Sequence, residues 1–231
     1  ETVLTALNVE VTDFNRTAFD IRSGKFEITD CYINCENSYS KQEGTTKVLT
    51  KGILAGMANS VVKGTVLGTT IETSESRYDN WSSGAIELYY NSDVVIKDSS
   101  ILNVQTGIWL DNYYAFDESQ IVRAVIENTV IKASDDAVRL YSTYNGAGGK
   151  AEASVDILSG DFTGNIRYIG KTDNDSITVK GGLFSADPTE FLDEGYLVEE
   201  KDGKFLVLQY PANDDDSSNG DEEELPEGDM P

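Results

Sequence analysis

Ile28-Thr-Asp-Cys-Tyr-Ile33, Val62-Lys-Gly-Thr-Val-Leu67, Ile96-Lys-Asp-Ser-Ser-Ile101, Ile126-Glu-Asn-Thr-Val-Ile131 and Val179-Lys-Gly-Gly-Leu-Phe184 share one pattern. An apolar residue opens each stretch, an Asp, Asn or Gly stands third, and an apolar residue closes it. Ile157-Leu-Ser-Gly-Asp-Phe162 fits with Ser in third place. The opening residues are 34, 34, 30, 31 and 22 positions apart. Short strands with a turn residue inside each unit, repeated at such a period, are the signature of a solenoid.

A second short strand follows most of these units. Ile86-Glu-Leu88, Ile108-Trp-Leu110, Val138-Arg-Leu140 and Ile166-Arg-Tyr168 are of this kind, and Phe19-Asp-Ile21 is similar. Period-two alternation puts the outer members of each triplet on one face and the middle member on the other. The inward column is then apolar, and the outward column reads Asp20, Glu87, Trp109, Arg139, Arg167. No stretch sustains a helical period. Hairpin pairs such as Asn-Gly are confined to Asn145-Gly146 in the repeat region, which argues against a sandwich built from tight hairpins. The recurring Asp30, Gly64, Asp98, Asn128 and Gly181 predict bends that stack, with like residues one above another. Insertions are expected at Glu72–Ser83, Asn112–Val122 and Ser142–Ala153.

The 231 residues carry a formal net charge of −23 and no histidine. Phosphate recognition needs a basic surface, so nucleic acid is excluded as a partner. An anionic membrane surface is disfavoured for the same reason. Calcium, cationic ligands and neutral sugars are compatible with this charge. Residues 213–231 hold nine acidic side chains and no basic one, leaving −14 for the rest. That segment has little to bury and repels itself, so a disordered acidic tail is expected. If Cys31 and Cys35 lie on one strand, their Cα atoms are roughly 13 Å apart, too far for a bridge. Two free thiols packed as small apolar groups follow. No apolar run is long enough to span a membrane. The start at Glu1, without methionine or a secretory leader, reads as a mature or excised segment.

The repeat from about Val3 to Phe184 resembles the right-handed parallel β-helix, or pectin-lyase-like, superfamily. Residues 181–207 resemble the closing segment of β-helical surface proteins from gut-type bacteria, with GG-x-F-S-x-D-P, then G-Y-x-V, then D-G-x-x-x-V. The expected fold is all-β: a right-handed parallel β-helix solenoid over residues 1–185, a small C-terminal cap over 186–212, and the acidic tail. Within the cap, Asp187 is expected to cap a short helix with Pro188 at its first position. Asp202-Gly203 then turns a hairpin that pairs Val198 with Val207.

The resemblance raises catalysis, because many members of the superfamily cleave polysaccharides. Asp135-Asp136-Ala-Val-Arg-Leu140 is similar to the paired aspartates of polygalacturonase-like hydrolases. The third carboxylate of that arrangement is missing, since the neighbouring unit offers Gln105 and Thr106. The family's histidine is missing as well. Inverting hydrolysis needs its carboxylates in a defined arrangement, and a structural bend is the expected role. A calcium-dependent lyase site would draw on Arg139, Arg167, Asp111, Asp135 and Asp136, but calcium wants six to eight oxygens. Trp109 is the most distinctive residue. Its ring is expected to point outward beneath Arg139, about 4.8 Å away on the next rung, within cation–π reach. Tyr89, Tyr90, Tyr113, Tyr114, Phe116, Tyr141 and Tyr144 are expected in nearby loops. Trp109, Asp111, Asp136, Arg139, Tyr141 and Arg167 thus form the candidate ligand face, suited to stacking on sugar rings. The expected function is a non-catalytic structural or adhesive module, extracellular or at a bacterial cell surface, that contacts a glycan or a protein. A polysaccharide lyase or hydrolase domain and a phage or viral fibre segment are the alternatives.

Overall fold

The computed structural model describes residues 2–14, 17–35, 51–57, 59–72, 84–89, 91–112, 115, 117–142 and 150–210. The chain is nearly all strand, laid down in successive passes. The first pass holds β1 (Val3–Leu7), β2 (Glu10–Val11) and β3 (Thr17–Ile21). The second holds β4 (Gly24–Thr29), β5 (Tyr32–Asn34) and β6 (Lys51–Ala55), and the third β7 (Val62–Leu67), β8 (Thr70–Glu72) and β9 (Ile86–Tyr89). In the next passes the last two strands merge into one long strand. These are β10 (Ser92–Lys97) with β11 (Ser100–Asp111), β12 (Ile121–Glu127) with β13 (Thr129–Tyr141), and β14 (Glu152–Ile157) with β15 (Gly160–Ile169). A shorter pass, β16 (Asp175–Val179) and β17 (Gly182–Phe184), follows.

Two sheets result. The first runs β1-β4-β7-β10-β12-β14-β16 and every described pairing in it is parallel. The second collects the remaining strands, also parallel until β17. There β19 (Lys204–Gln209) pairs antiparallel with β17, and β18 (Tyr196–Lys201) pairs antiparallel with β19. No helix among the described residues is long and apolar enough to cross a membrane.

Register explains why the repeat reads as it does. Ala6, Ile28, Val66, Ile96, Ile126, Ile157 and Val179 stand one above another, all buried. Val11, Ile33, Ile71, Ile101, Ile131, Phe162 and Phe184 form a second column. Parallel pairing repeats the same side chain at each rung, so equal shapes interlock. The Phe162 and Phe184 rings stack 4.8 Å apart and 8° from parallel. Between the columns the chain bends at Asn8, Asp30, Gly68, Asp98 and Asn128, with φ of 52°, 51°, 58°, 51° and 45°. Gly, Asn and Asp tolerate this left-handed conformation best. The next residue is Thr69, Ser99 or Thr129 in the middle passes. Its hydroxyl donates to the carbonyl two residues back, at 3.0, 2.8 and 2.9 Å. The Thr69 and Ser99 hydroxyls also accept the N–H of Cys31 and of Thr69 on the preceding rung, at 3.3 and 3.2 Å. The buried polar groups of these bends therefore find partners within the stack.

One expectation about the repeat is corrected. The third-pass unit is Val66-Leu-Gly68-Thr-Thr-Ile71, four residues later than the Val62 frame. Gly64 is no bend: it lies inside β7 beside Phe26, whose ring lies 2.0 Å from where a Gly64 Cβ would sit. In the last two passes the bend stays in third place, at Ser159 and Gly181, while the positive φ falls on the next residue, Gly160 at 149° and Gly182 at 124°. A unit at Ala6-Leu-Asn8-Val-Glu-Val11 also precedes the first one expected.

Both cysteines are free and buried. At residues 189–191 the chain makes a short 3-10 turn, not an α-helix. Pro188 sits at its cap, one place earlier than expected, and Asp187 accepts hydrogen bonds from the Thr189 N–H, at 2.9 Å, and hydroxyl. Val198 pairs with Val207 across the Asp202-Gly203 turn, as expected. The acidic segment 213–231 lies outside the described residues.

Candidate functional site

The middle residues of the triplets do form one column. Asp20, Leu54, Glu87, Trp109, Arg139 and Arg167 are paired rung to rung. Leu54 belongs to β6, whose Ile53-Leu54-Ala55 run carries no repeat signal and was not anticipated. Beside this column stand Tyr89, Asp111, Tyr141 and Ile169.

The column is not the displayed surface that alternation implies. Trp109 is 3% exposed, Arg139 0% and Glu87 1%. Asp111 and Asp136 are buried too. Gly84 abuts the indole, since a Cβ there would lie 3.3 Å from Trp109 Cβ. The expectation of an open Trp109 face is therefore overturned. Strand periodicity assigns side chains to faces, but both faces of this strand are covered. Only the ends reach solvent: Asp20 is exposed, and the Arg167 side chain is 43% exposed.

The contacts within the column are largely those expected. The Arg139 guanidinium carbon lies 5.6 Å from the Trp109 ring centre. Tyr141 meets the indole edge to face at 6.2 Å. Arg139 Nε contacts Asp136 Oδ2, and its Nη2 lies 3.0 Å from Asp135 Oδ2. Arg167 takes the same two carboxylates, Asp136 Oδ1 at 2.7 Å and Asp135 Oδ2 at 3.2 Å. Asn165 Nδ2 donates to the Asp135 carbonyl at 2.9 Å. Lower in the column Glu87 is paired with Lys51, itself buried, whose ammonium lies 5.3 Å from the Tyr89 ring centre. Thus Trp109, Asp136, Arg139, Tyr141 and Arg167 are brought together, and Asp111 stands beside Tyr141 in register.

This geometry is built to neutralise charge internally. Two guanidinium groups and two carboxylates alternate, and each carboxylate is held by both arginines. A buried ion pair repays desolvation only when close partners surround it, and here Asp136 Oδ1 and Arg167 Nε meet as an ion contact without an aligned hydrogen bond. Thr106 stands beside Asp136, as anticipated, so the neighbouring rung supplies no third carboxylate. Among the described residues no group of three or more His, Cys, Asp or Glu side chains converges to hold a metal. Tyr90, Tyr113, Tyr114, Phe116 and Tyr144 lie outside the described residues.

Open concavities occur instead at another corner, where the second sheet returns to the first. One cleft of about 430 Å³ is lined by Asn59, Ser60, Val61, Asn91, Asp117, Ser119 and Gln120. The next, of about 460 Å³, is lined by Glu118, Ser119, Ile121, Lys150, Glu152 and residues 173–176. They share Ser119 and have no aromatic lining. Sequence reasoning missed this corner because its residues come from connections rather than from the repeat. No family model, no curated protein and no solved structure matches the chain, so its functional reading rests on this geometry.

Proposed function

We propose that the chain is a right-handed parallel β-helix module of a bacterial surface or secreted protein. It acts outside the cell as a structural or adhesive element and carries out no catalysis. Parallel in-register pairing, stacked bends and the resemblance of residues 181–207 to a β-helical closing segment support the architecture. One observation carries the non-catalytic reading. The carboxylates a hydrolase would use, Asp135 and Asp136, are each held by Arg139 and Arg167. A general acid or base must be free to meet the substrate, and each of these carboxylates is already engaged by two guanidinium groups.

Glycan contact moves in this reading from Trp109 to the polar corner around Ser119. Amides, hydroxyls and carboxylates lining two adjoining clefts suit the hydroxyls of a neutral sugar chain. The test is incubation of the protein with neutral and acidic polysaccharides, with and without calcium. The expected result is no new reducing ends, no absorbance from unsaturated products, and retention on a neutral glycan that replacement of the exposed Ser119, Ser119→Ala, weakens and Trp109→Ala does not. Turnover of any polysaccharide overturns the non-catalytic reading. A trimer in solution favours the fibre alternative.

A further inference from the structure

Asp175 is out of place. It opens β16 at the top of an inward column that otherwise reads Val62, Ser92, Val122 and Ala153. Its side chain is buried, with 5% of the residue exposed. Oδ2 accepts the Thr172 N–H at 2.7 Å. Burial raises the carboxyl above the usual carboxylate range. The Thr172 N–H and hydroxyl and the Ser142 and Asn112 side chains pull it partly back. All of these helpers are neutral.

Asn112 and Ser142 follow β11 and β13 on successive rungs, where the Asn112 N–H donates to Tyr141 O and the Ser142 N–H to Ile169 O. Both residues are buried. Asn112 Oδ1, Ser142 Oγ, Thr172 Oγ1 and Asp175 Oδ1 are all buried, and none makes a hydrogen bond of ordinary geometry. The Asn112 Nδ2 donates to Ala151 O at 3.1 Å, so the Oδ1 of the same amide is the atom left without a donor. An unpartnered buried oxygen costs about 1–3 kcal/mol, and a fold seldom leaves several at one corner.

We propose that this corner binds a hard cation, calcium or sodium, through Asn112 Oδ1, Ser142 Oγ, Thr172 Oγ1 and Asp175 Oδ1. Amide, hydroxyl and carboxylate oxygens are the donors such ions prefer. A water would fill the space but leave the desolvated carboxylate without a counter-charge. The cleft of about 460 Å³ that has Asp175 in its wall adjoins this corner, and Glu118, Glu152 and Asp173 on its lining outweigh Lys150 in favour of cations. With one carboxylate ligand, calcium affinity falls in the range of about 10⁻⁴–10⁻³ M. The site shares this cleft with the glycan reading, but its test uses no glycan and reads ion binding alone.

The experiment is thermal unfolding of the full chain in choline, sodium and calcium chlorides at equal ionic strength, for the native protein and for Asp175→Asn. At about ten times the dissociation constant, the preferred ion is expected to raise Tm by about 3–5 °C over choline. Asp175→Asn keeps the shape and loses the shift. Weak binding by the carboxylates of residues 213–231 is the same in both proteins and cancels. Ser142→Ala, which removes one donor, gives the same reading should Asp175→Asn not fold. A crystal grown with calcium is expected to show an ion about 2.3–2.6 Å from these oxygens. Equal shifts in native and variant proteins, or only a water at hydrogen-bonding distance, would overturn the proposal.

Discussion

The third strand of each pass has two faces, and both are buried by different means. Inward, Ile86, Ile108, Val138 and Ile166 repeat one kind of side chain from rung to rung. Outward, Glu87, Trp109, Arg139 and Arg167 occupy the same rungs with three different chemistries. The inward face is held by shape, and one aliphatic residue there does much the same work as the next. The outward face is held by specific partners: Lys51 on Glu87, the indole beneath Arg139, and two aspartates across two arginines. A repeat can diversify on one face while the other keeps it in register.

Substitutions test that contrast. Arg139→Ala is expected to have the largest effect, about 3–5 kcal/mol in urea unfolding, because it removes a fully buried guanidinium and leaves buried Asp136 with Arg167 alone. Replacing Asp136 by Leu and Arg139 by Met together is expected to recover most of the loss. A double variant as unstable as Arg139→Ala would show that the outward face needs its charges rather than only their balance. Ile108→Ala is expected to cost about 2–4 kcal/mol on the inward face, and Trp109→Ala about 3 kcal/mol, read by the same measurement. A Trp109→Ala protein of native stability would return the indole to the surface and restore it as a ligand contact. The smallest effect is expected at the rim. Lys97→Ala breaks an ion pair with Glu127 at 2.8 Å between side chains 40% and 39% exposed, and high salt should abolish even that difference.

The thiols offer a chemical version of the comparison. Burial pushes the Cys35 thiol from 9.0 up to about 12. Its folded pKa is raised, so its contribution to stability is whole below about pH 9 and is lost as pH climbs towards 12. Tyr32, through its hydrogen bond to Glu72, and Tyr168, through burial, are raised as well. Alkaline unfolding in that window is the expected outcome, with Cys35 unreactive to a thiol reagent until the fold opens. Rapid labelling of Cys35 at pH 8 in the native state would contradict its burial.

The inward face was legible because its chemistry repeats. Asp30, Asp98 and Asn128 marked bends from sequence alone, and all three have positive φ. The third pass misled because Val62-x-Gly-x-x-Leu67 and Val66-x-Gly-x-x-Ile71 satisfy one pattern four residues apart. Only the Phe26 ring pressed against Gly64 separates them. Ala6 went unnoticed as a core position because alanine is a weak apolar signal. The outward face was legible as a set of neighbours, down to the Trp109–Arg139 contact, but not as a covered one. Cover is a long-range property, and alternation within a strand carries no information about it. Asp175 was invisible for the same reason: an aspartate after a turn looks like solvent-facing punctuation until its column is known.

The antiparallel pairing of β19 on β17 has a consequence for assembly. Identical rungs in parallel register are a template that further rungs extend without limit, whether from the same molecule or from a neighbour. Reversing the direction of the final strands breaks the template. The outermost strand, β18, then presents Glu199, Glu200 and Lys201 along its exposed half. Pairing of another copy on that edge is disfavoured by the charges along it.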